Sequence, residues 1–407
     1  MPTRTYYFPS DFLHVEAILQ AEIGEVPDAT FAFFRDAGIA PILSAGNLPL
    51  LMGISPKIFH SIYQKKSKHY RSFKLRKRDG SFREIETPRT YLKVIQWWIL
   101  DNILSKIYPR SCVFGFVRGR SAVDNAIYHS GSSHLLNMDI RNFFNSISQN
   151  SVERAFSGLG YDDKVGKALA ELCCYNGRVP QGAPTSPAIA NLILQDFDRQ
   201  VEELAESSGI KYSRYADDLT FSSSDFIKPS FVQQIKSAVE NHGFQVKDEK
   251  TRFSGSGNRM EITGVIINEV LQPTRTWRKS ARAKIHKIRS SNQLKRKDFY
   301  FLTGINSMPA QFPQSQQILN LAKEAKSIID ERAMMVVGIG EPKILPNSLT
   351  LRQAEALAAL APNLTNEQVA IKMGVSLDSL KKRLQIAYKK VGVDNRLAAY
   401  HWAKENL

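Results

Sequence analysis

This chain of 407 residues has few cysteines, no long apolar run and no secretory signal pattern, and each of these limits the class of protein to which it can belong. It has only three cysteines, Cys112, Cys173 and Cys174, which offer neither paired zinc-ligand spacing nor a disulfide framework. The adjacent pair lies in a helix-like run and is predicted to be part of the core rather than redox-active. No apolar run reaches about 18 residues and no secretory apolar segment follows Met1, so we expect a soluble cytoplasmic protein with no membrane partner.

Acidic residues are also scarce. The chain carries 39 Asp and Glu against 55 Lys and Arg, which leaves a formal net charge of +16. Such an excess favours a polyanionic partner, and nucleic acid before membrane, because neutralised phosphates release counterions on binding. The length is sufficient for more than one domain.

What the sequence does contain is an acidic turn between two runs of strand-forming residues, within 212–222. The pattern predicts a β-hairpin that presents Asp217 and Asp218 at its tip. Adjacent like charges repel each other, and Mg²⁺, which takes carboxylate oxygens as ligands, relieves that repulsion. A solvated surface turn is the alternative interpretation for an isolated pair.

A third carboxylate lies at the end of a predicted strand. The apolar run that starts at His134 leads into Asp139, and two aromatic residues, Phe143 and Phe144, follow it. A strand that ends in a carboxylate beside the acidic hairpin would supply three acids to one site. This favours a metal site over a solvated turn.

A loop rich in glycine and proline precedes the acidic hairpin. Residues 179–182 lead into a helix for which Ser186 is the predicted N-cap and Pro187 the first helical residue. Apolar residues then recur every four positions, which predicts one buried helix face: Ile189, Ile193, Phe197 and Val201.

These segments, in this order, resemble motifs A, B and C of reverse transcriptases, with 215–218 as the polymerase signature and 179–182 as the substrate loop. The resemblance implies an α+β right-hand fold of fingers, palm and thumb. It also implies RNA-directed DNA synthesis from deoxynucleoside triphosphates with two Mg²⁺ ions. Neighbouring side chains on a strand point to opposite faces, so Asp139 and Asp217 would ligate both ions and Asp218 would be auxiliary.

The resemblance also assigns residues around the nucleotide. Gln181 and Gly182 would bind the substrate. Phe143 would be the steric gate against the ribose 2′-hydroxyl with Phe144 behind it, although a register shift of one residue would exchange them. Lys250, in a segment similar to motif D, would protonate the departing pyrophosphate, or else be a salt-bridged surface lysine.

A basic hairpin is predicted before these motifs. Residues 74–85 alternate about Asp79-Gly80, which is typical of a type I′ turn, and they resemble the fingers of reverse transcriptases. Lys77 and Arg83 match positions that contact the incoming triphosphate. A solvated basic face is the alternative for both residues, and more so for Lys77 in its dense basic run.

Two patterns narrow the resemblance to retron reverse transcriptases, bacterial enzymes that copy part of a dedicated structured RNA. Asn125 and His129 fit the Asn-Ala-two-residue-His pattern, although His129 can also be a helix residue with a satisfied ring. Ile262, Thr263 and Gly264 stand where Val-Thr-Gly is usual. The resemblance implies that these residues contact the cognate RNA. It also implies priming from a 2′-hydroxyl, a branched RNA–DNA product, anti-phage defence and an effector protein as a further partner.

A strongly basic helix is predicted after the palm. Residues 273–297 contain ten basic side chains and no acidic one, and Ile285 and Ile288 mark the apolar side. In this family the region corresponds to the thumb, which grips the template and primer; a solvated face is the alternative. Four residues are predicted to face a phosphate backbone: Arg282, Lys284, Lys287 and Arg289.

The last sixty residues are predicted to form a separate helical module. Thr350 and Thr365 are predicted helix caps, and two helices joined through Gly374 would form a helix-turn-helix. The segment resembles LuxR-type DNA-binding domains, and a protein-docking or dimerising module is the alternative. The predicted DNA contacts come from one helix: Ser379, Lys381, Lys382 and Arg383.

The predicted domains are listed here in chain order: a helical N-terminal extension (1–70), fingers and palm (71–270), thumb (271–335), linker (336–348) and helix-turn-helix domain (349–407). Two other interpretations stay open. The chain can be another bacterial reverse transcriptase, such as a group II intron relative or a different defence enzyme. It can also be a DNA-binding regulator on an inactive polymerase scaffold, which the three acids and Gln181-Gly182 disfavour.

Overall fold

The computed structural model describes residues 12–24, 28–76, 80–291, 294–332, 336–337, 349–361, 364–373 and 375–406. It divides into two units, Met1–Arg278 and Lys279–Leu407, which we describe separately. Lys77, most of the predicted linker and Gly374 lie outside the described residues. The predictions that concern them therefore stay predictions, as do the predicted domain boundaries.

Short helices begin the first unit: α1 (Phe12–Ile23), α2 (Asp28–Ala37), α3 (Leu48–Leu51), α4 (Pro56–Gln64) and α5 (Lys66–His69). Their apolar side chains, including Leu19, Phe31 and Ile62, are buried in the same hydrophobic core as the later helices of this unit. The N-terminal helices are therefore packed onto the rest of the unit.

A hairpin follows, made of β1 (Tyr70–Arg76) and β2 (Phe82–Pro88) in antiparallel register from Tyr70 opposite Pro88 to Arg76 opposite Phe82. The predicted hairpin is confirmed, while the turn at Asp79-Gly80 lies partly outside the described residues. Two helices continue the chain: α6 (Thr90–Asn102) and α7 (Ala122–Tyr128). Trp98 of α6 is fully buried, as expected for a core residue.

An antiparallel sheet lies at the centre of the first unit. Its strands are β3 (His134–Asp139), β4 (Lys211–Tyr215), β5 (Asp218–Ser223) and β6 (Arg252–Gly255), in the order β4-β5-β3-β6. Aromatic and β-branched residues in β4 and β5 suit strands that pack on a core. Helices follow or connect the strands: α8 (Phe143–Ser146), α9 (Gln149–Gly158), α10 (Asp163–Cys173), α11 (Ser186–Ile193), α12 (Gln195–Ser207) and α13 (Pro229–Asn241).

The helix predicted after the substrate loop differs in two ways. Thr185 is the N-cap, and Ser186 is the first helical residue, whose hydroxyl donates to the Pro180 carbonyl at 2.7 Å. The prediction of Ser186 as N-cap is wrong because this hydroxyl supports the loop instead. The helical run also ends at Ile193 and restarts at Gln195, so the predicted single helix is two.

Three two-residue strands complete the first unit as a small sheet in the order β7-β8-β9: β7 (Glu261–Ile262), β8 (Val265–Ile266) and β9 (Gln272–Pro273). All three cysteines are buried and free. Burial raises the pKa of the Cys173 thiol to about 12, which agrees with the prediction that it is an inert core residue.

The boundary between the units falls within α14 (Arg275–Arg289). The second unit continues with β10 (Leu294–Lys295), α15 (Arg296–Ser307), α16 (Gln316–Arg332) and β11 (Val336–Val337), and β10 pairs with β11 in parallel. In α14, Ile285 and Ile288 are buried. The predicted outward direction is confirmed for four basic residues, which are all exposed: Arg282, Lys284, Lys287 and Arg289.

Four helices end the described chain: α17 (Leu351–Ala358), α18 (Asn366–Met373), α19 (Leu377–Val391) and α20 (Arg396–Asn406). Thr350 caps α17 reciprocally with Gln353, and Thr365 exchanges the same two hydrogen bonds with Gln368, so both predicted caps are confirmed. Apolar side chains from the four helices share one core. In the part of the chain that the structure describes, no helix is long and apolar enough to cross a membrane.

Candidate active site

The three predicted acids meet at the ends of adjacent strands. Asp139 ends β3 directly opposite Asp218, the first residue of β5. Asp217 lies in the connection between β4 and β5, and its carbonyl accepts a hydrogen bond from the Ile140 amide at 2.9 Å. The sheet thus brings together side chains that are about 80 residues apart in the sequence.

Burial and, after it, mutual repulsion determine the electrostatics of this cluster. Burial and then the charge of Asp139 raise the pKa of Asp217, and Lys250 and Arg83 partly oppose the shift. Burial, followed by the charges of Asp217 and Asp139, raises the pKa of Asp218 to about 7. Bringing these carboxylates together is therefore unfavourable unless a cation lies among them.

In the described structure the cation is Lys250, whose ammonium forms an ion pair with Asp139. Burial alone would lower the pKa of Lys250, but the hydrogen bond to Asp139 and the charges of the three acids raise it. Lys250 is therefore not merely a surface lysine paired with its sequence neighbours.

The donor set suits a hard divalent cation, because three carboxylates provide oxygen ligands at one place. Among the described residues, however, no three His, Cys, Asp or Glu side chains already converge as a ready ligand set. Lys250 engages Asp139, a carboxylate that a metal would require.

The substrate loop is attached to the basic hairpin. The Gln181 carbonyl accepts from the Glu86 amide at 2.9 Å, and Gly182 has φ of 132°. A Cβ at Gly182 would lie 2.9 Å from a methyl group of Ile85 and 3.0 Å from the Glu86 carbonyl, so only glycine fits without a shift. Arg83, on the same strand, is exposed, and its charge acts on Asp217.

The two aromatic residues after Asp139 have different environments. Phe143 is buried, 4% exposed, and its ring lies 6.4 Å from that of Phe244. This contradicts the prediction that Phe143 is the steric gate, because a core side chain does not line a nucleotide pocket. Phe144 is only partly buried, with its ring 6.0 Å from the exposed Phe116 ring, and fits the alternative register.

Asn125 and His129 are fully buried, so the prediction that they contact RNA is wrong. Burial and then the charge of Lys211 lower the pKa of His129 to about 3, which makes the ring neutral. Its two nitrogens lie 2.7 Å from the hydroxyls of Ser213 and Ser222. These bonds tie α7 to both strands of the acidic hairpin.

The direction of these hydrogen bonds follows from the other partners of the two serine hydroxyls, which are Asn125 and Ser132. The Ser213 hydroxyl donates to Asn125 at 2.5 Å, so it must accept from His129 Nε2, which therefore carries the proton. Nδ1 then accepts from Ser222, which itself accepts from the Ser132 hydroxyl at 3.0 Å. The satisfied-ring alternative for His129 is thus the one that the structure supports.

The three residues of β7 and its turn differ among themselves. Ile262 is buried, which contradicts a direct RNA contact for its side chain. Thr263 has φ of 47°, and its hydroxyl donates to the Ala122 carbonyl at 3.2 Å. Gly264 is exposed, with φ of 87°.

In the second unit, the predicted nucleic-acid contacts lie on helix surfaces. The Lys284 ammonium lies 3.8 Å from the centre of the Phe301 ring, and so Lys284 also packs within its own unit. Lys381 and Lys382 of α19 are exposed, and Ser379 and Arg383 are partly exposed. Contacts of these residues with nucleic acid stay predictions.

Sequence reasoning missed the residues behind the acidic turn. Arg214 and Asp198 are fully buried and form an ion pair, and Gly115 packs against the turn backbone. The available signal was Arg214 itself, a charged residue between Ser213 and Tyr215 in a run of strand-forming residues. A buried arginine requires a partner, but nothing local in the sequence identifies that partner.

Comparisons with known proteins agree on the central part of the chain. A family model described as reverse transcriptase (RNA-dependent DNA polymerase) matches residues 75–267. The chain is 36% identical over 223 residues to the retron Ec86 reverse transcriptase of Escherichia coli, covering 54% of this chain and 70% of that protein. It is 32% identical over 229 residues to the retron Mx162 reverse transcriptase of Myxococcus xanthus, covering 49% of this chain and 47% of that protein.

A shorter similarity concerns a different kind of protein. The chain is 48% identical over 52 residues to the probable transcriptional regulatory protein SgaR of Hyphomicrobium methylovorum. That similarity covers 13% of this chain and 25% of the other protein.

Proposed function

We propose, since the chain belongs to the retron reverse transcriptases, that this RNA-directed DNA polymerase copies part of a cognate structured RNA into single-stranded DNA. The observation that carries the proposal is the meeting of Asp139, Asp217 and Asp218 at the ends of neighbouring strands. The charge of Arg83 acts on Asp217, and the substrate loop is hydrogen-bonded to the strand that carries Arg83. The substrates would be an RNA template and deoxynucleoside triphosphates.

Asp139 and Asp217 would hold two Mg²⁺ ions, with Asp218 auxiliary, and the ions would activate the primer hydroxyl and neutralise the triphosphate. The protein's own residues would position the nucleotide and supply positive charge to its triphosphate. Arg83 would hold the triphosphate, and Gln181 and Gly182 would line the nucleotide.

Lys250 has a second role in this proposal. Its ammonium already neutralises Asp139 in the described structure. It therefore lies beside the reacting groups, where we expect it to donate a proton to the departing pyrophosphate. Phe144 would exclude the ribose 2′-hydroxyl.

The retron-specific steps belong to the same proposal. The chain would prime DNA synthesis from an RNA 2′-hydroxyl, form a branched RNA–DNA product and act in anti-phage defence with an effector protein; the names of the relatives support the retron type alone. The exposed basic face of α14 would grip the RNA and its DNA product. The similarity to a probable transcriptional regulatory protein supports a DNA-binding module. In the LuxR-type module that we propose, four residues of α19 would contact DNA: Ser379, Lys381, Lys382 and Arg383.

The nucleic acid that purifies with the protein tests this function. We expect RNA joined to DNA, so that both ribonuclease and deoxyribonuclease shorten the extracted species. The matched control is the Asp217→Asn chain from the same cells, which should bring down the RNA without DNA. Unselected genomic DNA as the only bound species, or the same DNA with the Asp217→Asn chain, would contradict the proposal.

A further inference from the structure

A buried ion pair lies directly behind the acidic turn. Arg214 of β4 and Asp198 of α12 are both fully buried. The arginine donates from Nε to Oδ1 at 2.8 Å and from Nη2 to Oδ2 at 2.6 Å. The Tyr212 hydroxyl donates to the same Oδ1 at 2.8 Å. This two-point geometry fixes the plane of the guanidinium group.

The remaining guanidinium nitrogen points at the turn that carries Asp217. Nη1 of Arg214 donates to the Ala216 carbonyl at 3.2 Å and to Oδ1 of Asn191 at 3.1 Å. Ala216 has φ of 60°, a left-handed conformation that is unfavourable for residues with a Cβ. Such a conformation persists only where the surroundings hold it.

A second contact, at Gly115, also holds the same turn. A Cβ at Gly115 would lie 2.2 Å from the Ala216 nitrogen, so the two backbones touch there. The Gly115 carbonyl accepts from Asn191 Nδ2 at 3.1 Å, and the Phe114 amide donates to the Arg214 carbonyl at 2.8 Å. Asn191 therefore links the arginine to the segment that covers the turn.

We propose that Arg214 is a positioning residue for DNA synthesis. Its guanidinium, oriented by Asp198 and Asn191, holds the left-handed Ala216 turn and thereby directs the Asp217 carboxylate toward the site where the metal binds. The inference rests on the proposed role of Asp217 as a metal ligand. Arg214 itself touches no substrate, because it is fully buried.

The chain offers a matched control pair on the same helix. Arg110 donates to Glu202 of α12 from Nε at 2.8 Å, with Nη2 at 2.7 Å from the same carboxylate oxygen. Glu202 lies four residues after Asp198. Among the described contacts, this pair makes no hydrogen bond to Ala216. Arg110→Lys therefore changes an arginine–carboxylate pair without touching the turn.

Arg214→Lys is the principal variant. Lysine keeps the positive charge beside Asp198 but lacks the planar fork that holds Asp198 with two nitrogens while the third reaches Ala216 and Asn191. We expect kcat for deoxynucleotide addition to fall about 10-fold to 100-fold, because a catalytic carboxylate displaced by about 1 Å loses that much. The Mg²⁺ concentration for half-maximal rate should rise several-fold, while affinity for RNA stays the same.

Asn191→Ala leaves the Arg214–Asp198 ion pair in place and removes one anchor of the guanidinium. It should shift kcat and the Mg²⁺ requirement in the same direction by a smaller factor. Arg110→Lys should change neither quantity. The Mg²⁺ requirement is the decisive measurement, because a variant that is merely less stable loses active protein without changing the metal concentration that the remaining enzyme needs.

Wild-type kcat and Mg²⁺ dependence in folded Arg214→Lys protein would overturn the inference. If Arg214→Lys does not fold, Asn191→Ala decides by the same measurements, and wild-type behaviour there overturns it. An equal shift with Arg110→Lys would also contradict it, because the effect would then not depend on the turn. Wild-type protein that makes no DNA at all would instead contradict the proposed function.

Discussion

Replacing Gly115 by alanine should damage catalysis although it removes no polar group. The added Cβ would lie 2.2 Å from the Ala216 nitrogen and 2.8 Å from the Tyr215 carbonyl carbon, whereas ordinary contacts are 3.4–4 Å. Both neighbours are backbone atoms, so the chain segments must separate by roughly 1 Å. Because such a displacement of a catalytic group costs about 100-fold, we expect DNA synthesis to fall by about that factor. Overpacking should also lower the free energy of unfolding by about 1–3 kcal/mol.

The assay is steady-state deoxynucleotide incorporation on a primed RNA template, with Tm measured on the same samples. Gly158→Ala is the matched control, because a Cβ at Gly158 meets nothing within 4 Å, and it should leave the rate unchanged. Folded Gly115→Ala protein that synthesises DNA at the wild-type rate would refute the reasoning that this contact determines the position of Asp217.

Three further predictions concern the gate, the buried histidine and the C-terminal module. Phe144→Ala should admit ribonucleotides whereas Phe143→Ala should only lower Tm, and the ratio of ribonucleotide to deoxynucleotide incorporation checks both. The pKa of His129 is about 3 in the folded protein against 6.5 ordinarily, so its contribution to stability is complete above pH 6.5 and is lost as pH falls toward 3. Between pH 7 and pH 5 the wild-type protein should lose about 2 kcal/mol of unfolding free energy because of this residue, whereas the His129→Gln protein should not show that loss. Urea titrations at the two pH values measure it, and equal losses in the two proteins would contradict the prediction. Removal of residues 343–407 should leave synthesis intact and weaken salt-dependent binding of duplex DNA, and loss of synthesis would show that the module belongs to the polymerase's grip on RNA.

The three acids could be predicted because each lies in a segment with its own local signature. Asp217 and Asp218 follow a run of strand-forming residues, and Asp139 ends another such run. Strand pairing then leaves few ways to arrange these segments, and the observed register puts Asp139 opposite Asp218. The basic face of α14 was predictable for a similar reason, since helical spacing alone separates its buried and exposed residues.

The support behind the acidic turn could not be predicted in this way. Arg214 is 16 residues from Asp198 and 23 residues from Asn191 in the sequence, and their contacts depend on how α11 and α12 pack against β4. Asn125 and His129 illustrate the same limit. The resemblance to retron reverse transcriptases implied an RNA contact, but the fold places both side chains inside, against serines of the acidic hairpin.

The steric gate shows a different limit of sequence reasoning, because a shift of one residue decides which phenylalanine faces the nucleotide. Asn142 has φ of 50°, so the chain turns between Asp139 and the short helix α8. That turn sends Phe143 into the core and leaves Phe144 partly exposed. A pattern of adjacent aromatic residues contains no information about which of them faces inward.

The most direct test of the account is DNA synthesis by purified Asp139→Asn and Asp217→Asn proteins on a primed RNA template, over a range of Mg²⁺ concentrations. Each substitution removes a carboxylate that compensates metal charge and leaves the basic face of α14 unchanged. The account predicts that neither protein makes DNA at any Mg²⁺ concentration, while both bind RNA nearly as well as the wild type. An ordinary yield of DNA from either protein would contradict the assignment of these acids as the catalytic centre.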